Sequence, residues 1–180
     1  MDDMQEIRSL LVLGGCRSGK SRYAETWINA RFRRKLFLAT LAAAGNDQEM
    51  AKRIALHRDR RDASWQTAEE PLQLATALDR YRHDADVILV DCLSMWISNC
   101  LLAGMSDEAI EEAVAELAAT VQKLTVPVVL VANEVGLGLV PDNQLGRRFR
   151  DLAGLTNQQL ATACDAVVFV AAGLPITLKS

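Results

Sequence analysis

Short apolar runs alternate along this chain with stretches whose apolar residues recur every three or four positions. Leu10–Leu13, Leu36–Ala39, Val87–Val90, Val126–Ala132 and Ala166–Ala171 are compact and carry no polar alternation. Such runs predict strands buried on both faces, as in a parallel sheet. Helical patterns are expected over Ser21–Ala30, Asp47–Arg61, Pro71–Tyr81, Ser106–Leu124 and Leu145–Ala163. In Asp47–Arg61, residues Met50, Ile54, His57 and Arg61 share one helical face. Pro71 suits a first helical position. Ser106, Asp107 and Glu108 suit a helix start, ahead of Ile110, Val114, Leu117, Val121 and Leu124. Alternating strands and helices predict βαβ units in an α/β fold, a mostly parallel sheet with helices on both faces. Two loops stand out, Leu41–Asn46 and the Gly-rich Asn133–Asn143, and ligands of open α/β sheets bind beyond the carboxyl ends of the strands.

Composition narrows the class. The 180 residues, half of them hydrophobic, predict one globular domain over 1–180. A net charge of −3 argues against a dedicated nucleic-acid binder. Cys16, Cys92, Cys100 and Cys164 show no CxxC spacing, so neither zinc nor a redox pair is indicated and reduced thiols are expected. Met1–Ser9 has no signal-peptide pattern, and no apolar run reaches transmembrane length. The expected setting is cytoplasmic.

The strongest chemical signal is Gly14-Gly15-Cys16-Arg17-Ser18-Gly19-Lys20-Ser21, a full GxxxxGK[ST] match placed after an apolar run and at the start of a helical one. Glycines let the backbone curl so that several N–H groups face phosphate oxygens, and the helix adds its positive end. Lys20 is expected to reach the outer phosphates of ATP or GTP, and the Ser21 hydroxyl to ligate Mg²⁺. A second metal carboxylate is expected at the end of an apolar strand, where Asp91 follows Val87-Ile88-Leu89-Val90. Glu134 is a rival for that role, and a plain Asp91 capping a helix that begins near Ser94 is the bland alternative.

His57 has Arg53 and Arg61 four residues to either side and Arg58 adjacent. The guanidiniums disfavour a charged imidazole, and a neutral imidazole is a nucleophile. Read alone, the stretch fits a solvated basic helix with one histidine better than a catalytic one. His83 lies in a polar stretch and is expected at the surface. Arg147, Arg148 and Arg150 form a basic cluster that fits either phosphate binding or solvation. Trp65 is expected in the core, and Glu69 and Glu70 as caps of the next helix.

An ordered set of stretches then resembles one family almost end to end. Leu11–Ser21 comes first, followed by Ala39-Thr40, Asp47-Gln48-Glu49-Met50 with Arg53-Ile54, and His57-Arg58 with Arg61. Trp65, Thr67 and Glu69 follow, then Asn133-Glu134-Val135-Gly136-Leu137-Gly138-Leu139-Val140-Pro141, Arg148-Phe149-Arg150-Asp151, Gly154 and Asn157-Gln158. The chain resembles the bifunctional adenosylcobinamide kinase/adenosylcobinamide-phosphate guanylyltransferases of cobalamin biosynthesis.

The resemblance implies phosphorylation of the aminopropanol hydroxyl of adenosylcobinamide by ATP or GTP. It further implies transfer of GMP from GTP, through a guanylylated histidine, to the corrinoid phosphate, giving adenosyl-GDP-cobinamide. His57 matches that histidine. Thr40, Arg58, Arg61, Glu69 and Asp91 match guanine-nucleotide contacts. A RecA-like sheet and a homotrimer are also implied. Cys16 stands where Ala is common, Asp91 where some members carry Glu, and Leu56-His57 where some carry a His pair. Two other readings of the chain are a P-loop kinase of another small alcohol and a GTP-binding interaction module.

Overall fold

The computed structural model describes residues 7–41 and 62–180. The helix expected over Asp47–Arg61, most of the Leu41–Asn46 loop, and His57, Arg58 and Arg61 lie outside the described residues.

The described elements run β1 Ser9–Gly14, α1 Lys20–Asn29, β2 Lys35–Ala39, β3 Trp65–Glu69, α2 Leu74–Tyr81 and β4 Val87–Asp91. They continue with α3 Leu93–Leu102, α4 Asp107–Lys123, β5 Val128–Asn133, α5 Gln144–Ala163, β6 Ala166–Ala171 and β7 Leu174–Lys179. The seven strands form one sheet in the order β3-β2-β4-β5-β1-β6-β7. All neighbouring pairs are parallel except β6–β7, which is antiparallel. The fold class expected from the alternation of elements is the one observed.

Alternation within each buried strand splits the core into two layers. Leu10, Val12, Leu89, Val129, Val131, Val168 and Val170 face Ala24, Trp27 and Ile28 of α1. Leu11, Leu13, Val90, Leu130 and Ala132 face the apolar stripes of α2, α3, α4 and α5. Both faces of the central strands are therefore dry, which is why their sequences read as unbroken apolar runs. Trp96 of α3 is 1% exposed, and its Nε1 donates to the Leu72 carbonyl at 2.7 Å, so the ring is buried without stranding its polar atom.

Helix starts follow side-chain chemistry. Ser106 Oγ accepts from the Ala109 amide at 3.2 Å, and Asn143 Oδ1 accepts from the Gly146 amide at 2.7 Å. The expected start at Pro71 is corrected: α2 begins at Leu74. Glu70 Oε1 accepts from the amides of Leu72 and Gln73 at 3.0 and 2.8 Å, which holds the Pro71 segment in a turn ahead of the helix. Both sheet edges went unseen in the apolar pattern. β3 has the mixed sequence Trp65-Gln66-Thr67-Ala68-Glu69, and every residue of β7 is exposed.

Candidate functional site

The C-terminal ends of the parallel strands share one edge of the sheet, and the phosphate-loop motif sits there. β1 ends at Gly14, the chain turns through Gly15–Gly19, and α1 starts at Lys20. The Ser18 amide donates to the Gly15 carbonyl at 3.2 Å, and the Tyr23 amide to the Gly19 carbonyl at 2.9 Å. Two glycines are required by space and conformation. A Cβ on Gly14 would lie 2.5 Å from both Ser18 Oγ and the Val170 carbonyl. Gly19 has φ of 99° and faces the Gly173 Cα, 3.2 Å from where a Cβ would sit. Arg17 also takes a left-handed φ of 57°. Cys16 and Arg17 are exposed at the crest, and Lys20 Nζ donates to the Gly15 carbonyl at 3.3 Å.

The loop is anchored on both sides. The Glu134 amide donates to the Gly14 carbonyl at 3.0 Å, and the Gly173 amide to the Ser18 carbonyl at 2.8 Å.

Asp91 ends β4 on the same sheet edge. β5 lies between β4 and β1, so Asp91 is two strand spacings from the loop strand, about 10 Å in sheet terms. In register, Asp91 pairs with Val131 and Gly14 with Asn133, which puts Asp91 and Asn133 on the α1 face of the sheet, where the phosphate loop arches.

Thr40 is wholly buried at the next corner. Its Oγ1 donates to the Cys92 carbonyl at 2.8 Å and accepts from the Cys92 amide at 2.9 Å. Asn99 Nδ2 bonds the Thr40 carbonyl at 2.6 Å and the Pro71 carbonyl at 3.0 Å. The Thr40 hydroxyl thus fixes the turn that follows Asp91. Glu69 is exposed at the end of β3, four spacings or about 19 Å from β1. Candidate residues therefore spread along the sheet edge, with the phosphate loop and Asp91 near its centre and Glu69 at its margin.

Chemistry at the Asp91 corner is muted where a thiol adjoins it. Burial, reinforced by the Asp91 charge, pushes the Cys92 thiol up to about 12, so it stays protonated. Glu134 Oε1 accepts from the Gly136 amide at 2.8 Å, inside its own loop. The basic cluster is taken up within the fold. Arg147 bonds the Pro141 and Asp142 carbonyls, Arg148 bonds Asp107 of α4, and Arg150 bonds Asp151. His83 is exposed, as expected. Trp65 is half-buried, with Nε1 donating to Asn29 Oδ1 at 3.2 Å and Lys35 Nζ 5.5 Å from its ring.

Two oxygen donors, Ser21 and Asp91, flank the loop, and among the described residues no group of three or more His, Cys, Asp or Glu side chains is gathered to cage a metal. This donor set fits magnesium, which takes few protein ligands and completes its shell with phosphate oxygens and water.

A parallel sheet with a strand–GxxxxGKS–helix unit at its carboxyl edge, and an acidic strand end two strands away, defines the P-loop nucleotide-binding class. Solved structures agree on the fold. A KaiC-like protein from Pyrococcus horikoshii aligns with 90% of this chain and 70% of its own, at TM-score 0.51 and 13% identity. An ATPase from the type III secretion system of pathogenic bacteria aligns with 94% of this chain and 56% of its own, at TM-score 0.53 and 13% identity.

Sequence comparison goes further. The profile described as cobinamide kinase / cobinamide phosphate guanyltransferase matches residues 10–178. The bifunctional adenosylcobalamin biosynthesis protein CobP of Pseudomonas aeruginosa is 44% identical over 175 residues, covering 94% of this chain and 96% of its own. The corresponding protein CobU of Salmonella typhimurium is 41% identical over 182 residues, covering 94% and 99%. The chain belongs to the cobinamide kinase / cobinamide phosphate guanyltransferase family, a family of transferases.

Proposed function

We propose that this protein, acting as one nucleotide-binding unit over 1–180, carries out both family reactions on adenosylcobinamide. The observation that carries the reading is the phosphate loop, preformed beside Asp91, in a chain that matches the family across residues 10–178.

In the first reaction the aminopropanol hydroxyl oxygen attacks the γ-phosphorus of ATP or GTP. A new O–P bond forms, the bond to the nucleoside diphosphate breaks, and the hydroxyl proton is released. The backbone amides of Gly14–Ser21 and the Lys20 ammonium bind the phosphates and offset charge as it moves to the leaving diphosphate. Ser21 and Asp91 hold Mg²⁺, which neutralises phosphate charge when bound. Thr40 keeps Asp91 in place through the Cys92 backbone.

In the second reaction His57 attacks the α-phosphorus of GTP, pyrophosphate leaves, and a phosphoramidate joins the imidazole to GMP. An oxygen of the corrinoid phosphate then attacks that phosphorus, the P–N bond breaks, and adenosyl-GDP-cobinamide is released. Arg58, Arg61 and Glu69 contribute contacts to the guanine nucleotide.

We further propose that the working form is a homotrimer in the cytoplasm. The apolar side chains on β7 support self-association, since Leu174, Ile176 and Leu178 are 69%, 52% and 59% exposed.

The test is covalent trapping. Wild type incubated with Mg²⁺ and α-phosphate-labelled GTP, then denatured, is expected to carry acid-labile, alkali-stable label, and His57→Ala none. Unlabelled wild type with intact GTP binding would remove the histidine route and leave a P-loop kinase or a GTP-binding module.

A further inference from the structure

β5 separates the phosphate-loop strand from the Asp91 strand, and its last residue is Asn133. Asn133 is paired in register with Gly14. It shares strand parity with Val129 and Val131, whose side chains pack on the α1 layer beneath the phosphate loop. Its side chain therefore belongs to the face, and to the end of the sheet, where the outermost phosphate of a nucleotide held by the loop must lie.

The main chain of Asn133 is fully used. Its amide donates to Ser94 Oγ at 2.8 Å, and its carbonyl accepts from Asn157 Nδ2 at 3.3 Å. Its side chain is the opposite. Oδ1 is buried, and among the described residues no donor reaches it. A buried acceptor without a donor is unfavourable by about 1–3 kcal/mol, so natural folds retain one where something else supplies the donor. β5 itself is joined to β1 and β4 as strands of one sheet, so the Asn133 Oδ1 is not needed for that pairing.

We infer that Asn133 orients the attacking hydroxyl in the phosphoryl-transfer step, its Oδ1 accepting a hydrogen bond from the alcohol O–H. This rests on the kinase reaction proposed above. A carboxamide suits the place. It accepts a hydrogen bond without adding negative charge beside a triphosphate, and it cannot take the proton. It therefore aligns the oxygen lone pair with the γ-phosphorus rather than acting as a base, and the proton leaves with the product phosphate to water. Guanylyl transfer occurs at the α-phosphorus and uses no alcohol, so Asn133 is not required there.

Asn133→Ala in the full-length protein is the test, with adenosylcobinamide and ATP for one reaction and α-labelled GTP for the other. The kinase kcat is expected to fall about 10- to 100-fold, in line with loss of nucleophile alignment. ATP affinity by calorimetry and guanylyl labelling of the protein should stay within about twofold of wild type. Should the alanine protein misfold, Asn133→Ser replaces it, with the same expected pattern. A kcat equal to wild type overturns the inference, as does a parallel fall in ATP affinity or labelling, which would make Asn133 a general phosphate contact. Wild type that fails to phosphorylate adenosylcobinamide would instead sink the underlying kinase reading.

Discussion

The Gly173 amide donates a hydrogen bond to the Ser18 carbonyl at 2.8 Å, tying the β6–β7 turn to the phosphate loop. Ala172 and Gly173 hold left-handed φ values of 50° and 81° to make that turn, and the Gly173 Cα packs against Gly19. An alanine at 173 has open space for its Cβ but meets a disfavoured φ, at about 1–2 kcal/mol. Relaxation of the turn would pull on Ser18. Gly173→Ala is expected to weaken ATP and GTP binding several-fold by calorimetry, and an unchanged Kd would show that the strap is dispensable.

Lys20→Ala removes the cation proposed to reach the phosphates from the first turn of α1. The expected loss is about 100-fold or more in the rate of both reactions. Measuring each reaction separately decides the point. If one survives at wild-type rate, it uses a nucleotide bound away from the phosphate loop.

Asp91 and Glu134 are the two candidates to hold the proposed Mg²⁺, and their surroundings differ. Glu134 turns back to the Gly136 amide in its own loop, and Asp91 ends β4 on the face of the sheet over which the phosphate loop arches. Titration of activity with Mg²⁺ should therefore shift to higher concentration, by about tenfold or more, in Asp91→Asn, and hardly move in Glu134→Gln. The reverse order would give the metal to Glu134.

The four cysteines should separate cleanly under a thiol reagent at pH 8. Cys16 is exposed on the phosphate loop, while Cys100 and Cys164 are buried. Burial pushes Cys164 up to about 12, and burial with the Asp91 charge does the same to Cys92, so neither forms thiolate at that pH. Mass spectrometry of the labelled native protein should find Cys16 modified first, with GTP slowing it. Early labelling of Cys92 would contradict the packing at the Asp91 corner.

Asp165 closes the far end of the sheet. Its Oδ2 accepts from the Arg8 and Ser9 amides at 3.0 and 2.9 Å, and Ser9 Oγ accepts from the Asp165 amide at 2.8 Å. Burial raises its pKa, but the hydrogen bonds from Ser9 and Arg8 outweigh it, and the folded value lies below the ordinary one. A lowered carboxyl contributes stability above the ordinary carboxylate range and loses it as pH falls through the folded value. Asp165→Asn should thus melt about 2–4 °C lower at pH 7, for a loss of about 1 kcal/mol. The two melting curves should converge in acid; a constant gap at all pH values would assign the effect to packing instead.

What the sequence disclosed follows from where each element sits. Strands buried on both faces, such as β1 and β4, leave only apolar residues to choose from, so they read directly. The phosphate loop reads directly because its chemistry is local. β3 and β7 escaped because an edge strand has no second neighbour to enforce apolarity; β7 even carries Pro175. α3 was expected only by its start near Ser94; it is buried on most sides, through Leu93, Trp96, Ile97, Cys100 and Leu101, which erases the one-sided period that would mark its extent. Gly173 was invisible beside the phosphate loop, since it meets Ser18 only through the fold, and Asn133 was legible only as the first residue of a candidate loop, its buried Oδ1 appearing with the structure.

The three backbone ties on the phosphate loop, from Glu134, Gly173 and Tyr23, have a thermodynamic corollary. A loop already curled by folding surrenders little conformational freedom when a nucleotide arrives. Its ordering entropy was spent when the sheet closed, and the binding free energy need not cover it again. Phosphate capture at this edge should then be close to lock-and-key: rapid association, a small heat-capacity change, and affinity governed by how long the triphosphate stays.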